Sequence, residues 1–228
     1  MSARPEPPSE HDLLRWSETL SALARTGLAF TDNLYERERF EEVLSVAADI
    51  RVKADTPYDA ERLLAEWTKT VGQGVPGYVT PKATVAALVG NDEGELLMVQ
   101  RADSGIWLYP TGWADVGYSP AEVAVKEVQE EAGLETEVVR LVGVMDGLRL
   151  GFTRIPLYSI LFHLRVTGGE LRPHPLECEA VGFFAEDALP QPVAGPERWK
   201  GLAFAAVRGE PIEPYFDSPR TPPWQGEP

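Results

Sequence analysis

Cysteine occurs once, at Cys178, so no intrachain disulfide and no thiolate metal cluster can form. That agrees with a reducing compartment, and Cys178 reads as a packing residue. Histidine is nearly as scarce, because His11, His163 and His174 are the whole supply and share no metal-ligand spacing. His163 lies inside a strand pattern and reads as structural, His174 reads as a loop residue between two prolines, and no Ser/His/Asp set can be assembled from them. No run approaches about 18 consecutive apolar residues, and the first residues carry no apolar signal core. Neither a membrane span nor export is expected, and the expected location is cytoplasmic. Positive charge is short as well: 21 Lys and Arg against 36 Asp and Glu give a net charge of -15 and a pI near 4.6. Broad contact with a nucleic-acid polymer, which relies on clustered cations, is therefore not expected. A small phosphate substrate remains compatible, since a bound divalent cation inverts the local field.

What is present is an ordinary globular composition, 43% apolar and 25% charged, long enough for one substantial core and a smaller module. Residues 9–72 read as helices. Leu13, Trp16, Leu20 and Leu23 fall near helical spacing over 12–25, and Thr26-Gly27 is expected to end that helix. A second helix is expected to start at Thr31 or Asp32, either of which can cap, and to run through Tyr35, Phe40, Val43, Leu44 and Ala47. Thr56-Pro57-Tyr58-Asp59 announces a third, with Leu63, Leu64 and Trp67. Three such helices have too little core to stand alone, so they are expected to pack on the main domain or on a second subunit. Glycine-rich residues 72–77 are expected to form a linker. Strands follow at 83–89, 95–101, 137–144, 157–166 and 181–184, with a turn at 91–94 and a last helix at 197–207. The expected organisation is a helical module at 1–72, a linker at 73–78, a main domain at 79–210 and a tail at 211–228. That tail holds six prolines and reads as extended or disordered.

The most informative segment is Gly112-Trp-Ala-Asp-Val-Gly-Tyr-Ser-Pro-Ala-Glu-Val-Ala-Val-Lys-Glu-Val-Gln-Glu-Glu-Ala-Gly-Leu134. Ser119 is suited to N-cap a helix, Pro120 fits its first position, Glu122 completes a capping box, and Gly133 supplies a left-handed stop. Ala121, Val125, Val128 and Ala132 are expected to form the apolar stripe that packs on a sheet. Glu127, Glu130 and Glu131 then share another face. Like charges at these spacings destabilise an isolated helix by roughly 0.2–0.5 kcal/mol per pair, so a positive group belongs among them. Oxygen-only ligands suit Mg2+ or Mn2+ rather than zinc. The bland alternative is a solvated glutamate-rich surface.

The same residues resemble the Nudix box, G-x5-E-x7-R-E-U-x-E-E-x-G-U, where U is a bulky aliphatic residue. Gly112, Glu127, Val128, Glu130, Glu131, Gly133 and Leu134 match it. Tyr118 stands at its first glutamate and Lys126 at its arginine, a change that keeps the charge but loses the planar fork. The likeness extends to a bacterial Nudix subgroup with a helical N-terminal extension, which includes CDP-choline pyrophosphatases; residues 13–48 and 177–190 carry it. The fold implied is α+β, a Nudix-type α/β/α sandwich with a mixed sheet, preceded by a small helical N-terminal module. The function implied is divalent-metal-dependent hydrolysis of the diphosphate in a nucleoside diphosphate linked to a group X, by a homodimer.

By the resemblance Glu127, Glu130, Glu131 and the Gly112 backbone are metal ligands, Glu127 is also a candidate base, and Lys126 orients the carboxylates. Arg101, Trp107, Glu177 and Glu179 are candidate substrate contacts, the last two in a region where the family brings a loop over the metals. Trp107, Tyr109 and Trp113 are alternative stacking surfaces or core packing. Arg149 and Arg154 are further candidates for phosphate. They lie in the segment 145–157, which separates two strands and is well placed for substrate selection. That segment has Leu, Arg and Phe where choline-nucleotide relatives are expected to be rich in His and Pro, which argues against CDP-choline. Two rival readings stand beside the enzyme. One is a nucleotide-binding or regulatory module whose altered box is catalytically weak; the other is an assembly protein in which the helices do the main work.

Overall fold

A computed structural model describes residues 7–54, 59–71, 79–115, 117–195 and 197–220. The expected linker and the Thr56–Tyr58 start signal lie outside the described residues. The chain divides into two compact units: residues 1–81 with 147–156, and residues 82–146 with 157–228.

The first unit holds α1 (Glu10–Phe30), α2 (Leu34–Ala54), α3 (Ala60–Lys69) and the short α5 (Gly147–Leu150). Ser9 and Asp12 cap α1 reciprocally. Contrary to the expected break, α1 runs straight through Thr26 and Gly27. The reason is non-local: a side chain at Gly27 would overlap the Phe40 ring, so glycine is the residue that lets α2 approach. The cap of α2 is Asn33, whose Oδ1 accepts from the Tyr35 amide at 2.9 Å, rather than Thr31 or Asp32. Asp59 caps α3. Ala24, Leu28, Leu44, Ala47, Ala48, Leu63 and Trp67 form the helical core. Beside it Arg51 pairs with buried Glu18 at 2.8 Å, an arrangement that needs both partners because either charge alone would be stranded. The 147–156 segment groups with these helices, and Arg154 is engaged with Glu10 at 3.0 Å. Both side chains of that pair are more than half exposed, so it is a surface ion pair of small energy.

The second unit is built on one mixed sheet in the order β3-β2-β1-β6-β5-β8, with β4 also pairing β1 and β7 pairing β2. The strands are β1 (Lys82–Gly90), β2 (Leu96–Arg101), β3 (Trp107–Leu108), β4 (Thr111–Trp113), β5 (Leu134–Asp146), β6 (Leu157–Gly169), β7 (Cys178–Phe184) and β8 (Tyr215–Phe216). β1 runs parallel to β6 and antiparallel to β2 and β4. Its continuous run Val85–Val89 is buried, as expected of a central strand covered on both faces. Alternate residues Val85, Ala87 and Val89 join the core that holds Val123, Ala124 and Val128 of α4 (Pro120–Ala132). The other face meets α6 (Glu197–Val207), where a side chain at Gly90 would collide with Val207. Helices on both faces of a mixed sheet make the α/β/α sandwich.

Two sequence expectations are corrected here. The buried stripe of α4 is Val123, Ala124, Val128, Glu131 and Ala132, while Ala121 and Val125 are only partly buried. A carboxylate sits in the buried set, and counting it as polar rotates the expected stripe. The tail is not free throughout: Tyr215–Phe216 pairs in parallel with Gly143 and Val144 of β5.

Candidate active site

Local sequence sets the helix that carries the acidic groups. The Glu122 amide donates to Ser119 Oγ at 3.3 Å and the Ser119 amide donates to Glu122 Oε2 at 2.6 Å. At the other end Gly133 adopts φ +74°, and a side chain there would meet the Glu170 carbonyl at 2.6 Å. The Arg172 and His174 amides donate to the last-turn carbonyls of Ala132 and Glu131 at 2.9 and 3.3 Å. That return segment delivers Glu177, whose carbonyl accepts from the Ala102 amide at 2.9 Å. His174 also steadies the turn with its side chain, whose Nδ1 accepts from the Leu176 amide at 3.4 Å.

β4 meets the helix with glycine where two groups nearly touch. A methyl group on Gly112 would lie 2.6 Å from Glu127 Oε2 and closer still to Oε1. One residue earlier the Thr111 amide donates to Glu131 Oε2 at 3.1 Å, and Thr111 Oγ1 donates to the Val85 carbonyl at 2.8 Å, fixing the strand. Glu127 and Glu131 therefore converge on the Thr111–Gly112 backbone. Glu130 is exposed and engaged elsewhere, accepting from Lys126 Nζ at 3.0 Å. The same ammonium lies 3.3 Å from Asp115 Oδ2. Among the described residues no three His, Cys, Asp or Glu side chains are gathered closely enough to hold an ion as they stand.

The electrostatics identify what the pair lacks. Burial pushes the Glu131 carboxyl up to about 7, opposed by the Thr111 amide and Arg101 and reinforced by Glu127 and Glu177. Burial also raises Glu127; Lys126 opposes the rise, and Glu130, Glu177 and Asp115 add to it. Lys126 is held strongly protonated, chiefly by its hydrogen bond to Glu130. Two carboxylates disfavoured as anions, beside further acids and an oxygen-only donor set, fit a hard divalent cation.

The expected site residues separate as follows. Glu127, Glu131 and Gly112 come together, and Lys126 with Glu130 flanks them. Glu177 and Arg101 act on Glu131 through the field, although Arg101 also binds Asp103 at 3.2 Å. Glu179 is exposed on β7. Trp107 packs edge-on against Phe184 with centroids 5.1 Å apart, and half-buried Tyr109 meets Trp199 in the same way at 5.2 Å. Trp113 stays 49% exposed, with Lys82 over its ring at 5.1 Å, so it is the one of the three aromatics left open for stacking. Cys178 is buried in the core as expected. His163 is buried within β6, with Nδ1 unpartnered in the structure.

Sequence reasoning missed Asp115 and Thr111. The signal for Asp115 was indirect: with Tyr118 at the box's glutamate position, Lys126 needed another acid within reach. Tyr118 itself is exposed and makes no such contact; its amide donates to the Asp115 carbonyl at 3.3 Å.

Residues 80–203, more than half of the chain, match the family model described as the NUDIX domain. The chain belongs to the Nudix family. Residues 11–64 match a second model, described as a UDP-X-like, N-terminal oligomerisation domain. Among curated relatives, the Bacillus subtilis (strain 168) protein named "Putative ADP-ribose pyrophosphatase YjhB" is 35% identical over 78% of this chain and 82% of its own length. Among solved structures, an ADP-ribose pyrophosphatase from Streptococcus suis is 36% identical over 60% of this chain and all of that one, with a TM-score of 0.54. A UDP-X diphosphatase is 28% identical over 89% of this chain and 97% of that one, also at 0.54. This Nudix chain is accordingly a pyrophosphohydrolase with an N-terminal helical region ahead of its catalytic fold. Nudix hydrolases generally use divalent cations. No helix among the described residues is long and apolar enough to cross a membrane.

Proposed function

We propose that this Nudix hydrolase uses Mg2+ or Mn2+ to cleave the diphosphate of a nucleoside diphosphate linked to a group X, releasing a nucleoside monophosphate and a phosphorylated X. The observation carrying this reading is the convergence of Glu127 and Glu131 on the Thr111–Gly112 backbone. The names of the relatives direct the substrate search to ADP-ribose and UDP-linked compounds. A homodimer in the cytoplasm is the proposed working form.

Glu127, Glu130, Glu131 and the Gly112 carbonyl are the groups proposed to hold the cation, which supplies Lewis-acid neutralisation of the diphosphate oxygens when bound. The chain's own residues prepare the rest. The Thr111 amide orients Glu131, and the packed glycine fixes where the Glu127 carboxylate stands. Burial raises the proton affinity of the Glu127 carboxylate, which is the direction that suits a group taking a proton from an attacking water. Lys126, steadied by Asp115, holds Glu130 and balances part of the acidic charge. Glu177 and Arg101 are proposed to reach the substrate from the rim. Glu179 and Trp107 belong to the surrounding β7 and β3, with Trp107 shaping the wall through Phe184.

The weak-box alternative rests on Tyr118 and Lys126. Against it, Asp115 supplies the carboxylate that the ammonium needs. Nucleotide calorimetry together with phosphorus-detected product analysis, over ADP-ribose, nucleotide sugars, CDP-alcohols and dinucleoside polyphosphates, distinguishes the two. Tight binding without product under both cations would favour the alternative. Glu130→Gln is expected to leave the circular dichroism spectrum unchanged and to lower metal-dependent turnover by at least ~100-fold, the scale set by losing one charge-stabilising group. Full turnover in that variant would reject the assignment.

A further inference from the structure

At the Gly90 end of β1 the second unit holds an open cavity of about 690 Å3, a volume within the range of small-molecule sites. It is separate from the carboxylates described above. Ala86 pairs with Thr111 beside those groups, and Gly90 lies four residues further on, so the cavity stands about 13 Å along the strand from that pairing. Local structure makes the opening: β1 ends at Gly90, and β5 carries an extra residue, Val139, where its register against β6 shifts between Val138 and Arg140. Val139, Val166, Phe183 and Val207 supply an apolar wall, and none of the four is fully buried.

His163 forms part of the same wall. It is 9% exposed, and its Nδ1 has no hydrogen-bond partner, an unmet demand that a bound group can meet. Burial first, and then the charge of Arg140, hold the imidazole below its usual range, so at neutral pH it is an uncharged ring with an acceptor nitrogen. Asp92 and Glu93 line the cavity from the turn after β1, and both are exposed. Asn91 closes that turn without their side chains: its Nδ2 donates to Glu95 Oε2 at 2.7 Å, and its Oδ1 accepts from the Glu93 and Glu95 amides at 3.1 and 2.9 Å. Neither the Asp92 nor the Glu93 carboxylate has a partner among the described residues. The cations nearby are engaged. Arg165 binds Glu137, Arg208 binds Glu186 at 2.8 Å, and Arg140 Nη2 donates to the Ala206 and Glu210 carbonyls at 3.2 and 3.0 Å. The ionisable lining groups left without a partner are therefore two carboxylates and a neutral imidazole, all able to accept.

We propose that this cavity is a second binding site, which takes a small organic cation: a protonated amine carried on an apolar body. The body lies against the apolar wall, and the ammonium hydrogens serve Asp92, Glu93 and His163. An anion would meet two uncompensated acids. A bare metal ion does not suit the place, since no three His, Cys, Asp or Glu side chains among the described residues gather closely enough to hold one. The inference is independent of the function proposed above.

Calorimetry on the full chain, with Mg2+ in excess to occupy the acidic groups of α4, tests it with three probes of one body and different charge: 2-phenylethylamine, 2-phenylethanol and phenylacetate. The amine is expected to bind, the alcohol to bind at least about 10-fold more weakly and the acid not at all. Asp92→Asn with Glu93→Gln alters exposed turn side chains that the fold does not use, and should weaken the amine by about 10-fold or more. Thr167→Trp, at an exposed position of the lining, should abolish binding by filling the space. The chain has only three histidines, so nuclear magnetic resonance can follow each imidazole; His163 should shift with the amine while His11 and His174 stay still. No binding of the amine at millimolar concentration, equal binding of amine and alcohol, or an unmoved His163 would each overturn the proposal. Amine binding that survives both variants would place the probe elsewhere and overturn it too.

Discussion

Replacing Gly112 by alanine is expected to abolish turnover of the true substrate while sparing the fold. The added methyl would overlap the carboxylate of Glu127, which is the far end of a flexible side chain and can swing aside. Backbone and core need not move, so melting is expected to shift only slightly. The group that must move, however, is the one proposed above to hold the cation and to take the proton from water. Misplacing a reacting or ligating group by about 1 Å costs on the order of 100-fold in rate, and kcat/KM should fall by at least that much. Measuring kcat/KM and thermal melting side by side on Gly112→Ala checks both halves. Undiminished turnover would mean that Glu127 is not needed where the structure puts it.

Glu131→Gln is expected to change how stability depends on pH. The Glu131 carboxyl, held near 7 by burial against an ordinary value of 4.5, keeps its proton in the folded cation-free chain after the unfolded chain has released it. Between about pH 4.5 and 7 the native state thus binds more protons, and stability falls as pH rises through that window. The loss attributable to this group amounts to about 3 kcal/mol above pH 7. Glutamine keeps the acceptor for the Thr111 amide and has no charge to release, so its variant should lack this component of the slope. Urea titrations of both proteins in chelator at pH 5, 6, 7 and 8 provide the comparison. Identical pH profiles would remove the claim that Glu131 is strained as an anion. Mg2+ or Mn2+ should recover the wild-type loss above pH 7 and do little for the variant.

The helix bearing these groups was legible because its determinants are local: Ser119, Pro120, Glu122 and Gly133 each act within one turn. The last helix was legible too, with the expected 197–207 span matching α6. Non-local causes were not. Thr26-Gly27 looks like a stop until Phe40, thirteen residues beyond Gly27, is known to need the space. Strands β3 and β4, of two and three residues, are too short to show alternation and exist through pairing with β2 and β1. On α4 only Val128 and Ala132 of the expected stripe are fully buried; Val123, Ala124 and Glu131 join them, and Glu131 is interior because the Thr111 amide is there to meet it. Asp115, a single acid in a loop eleven residues ahead of its lysine, left only the indirect signal of Tyr118 standing where the box has a glutamate.

The segment after α6 returns to lie along β5, where the Asp146 amide donates to Asp217 Oδ2 at 2.7 Å and the Tyr215 hydroxyl donates to Asp217 Oδ1 at 3.1 Å. Two residues of added ladder and one carboxylate clasp thus hem the outermost long strand. A shortened polypeptide ending before Tyr215 would leave that selvedge raw, with Val144 and its amide row offered to any neighbouring strand. Its fate would be turbidity rather than loss of chemistry.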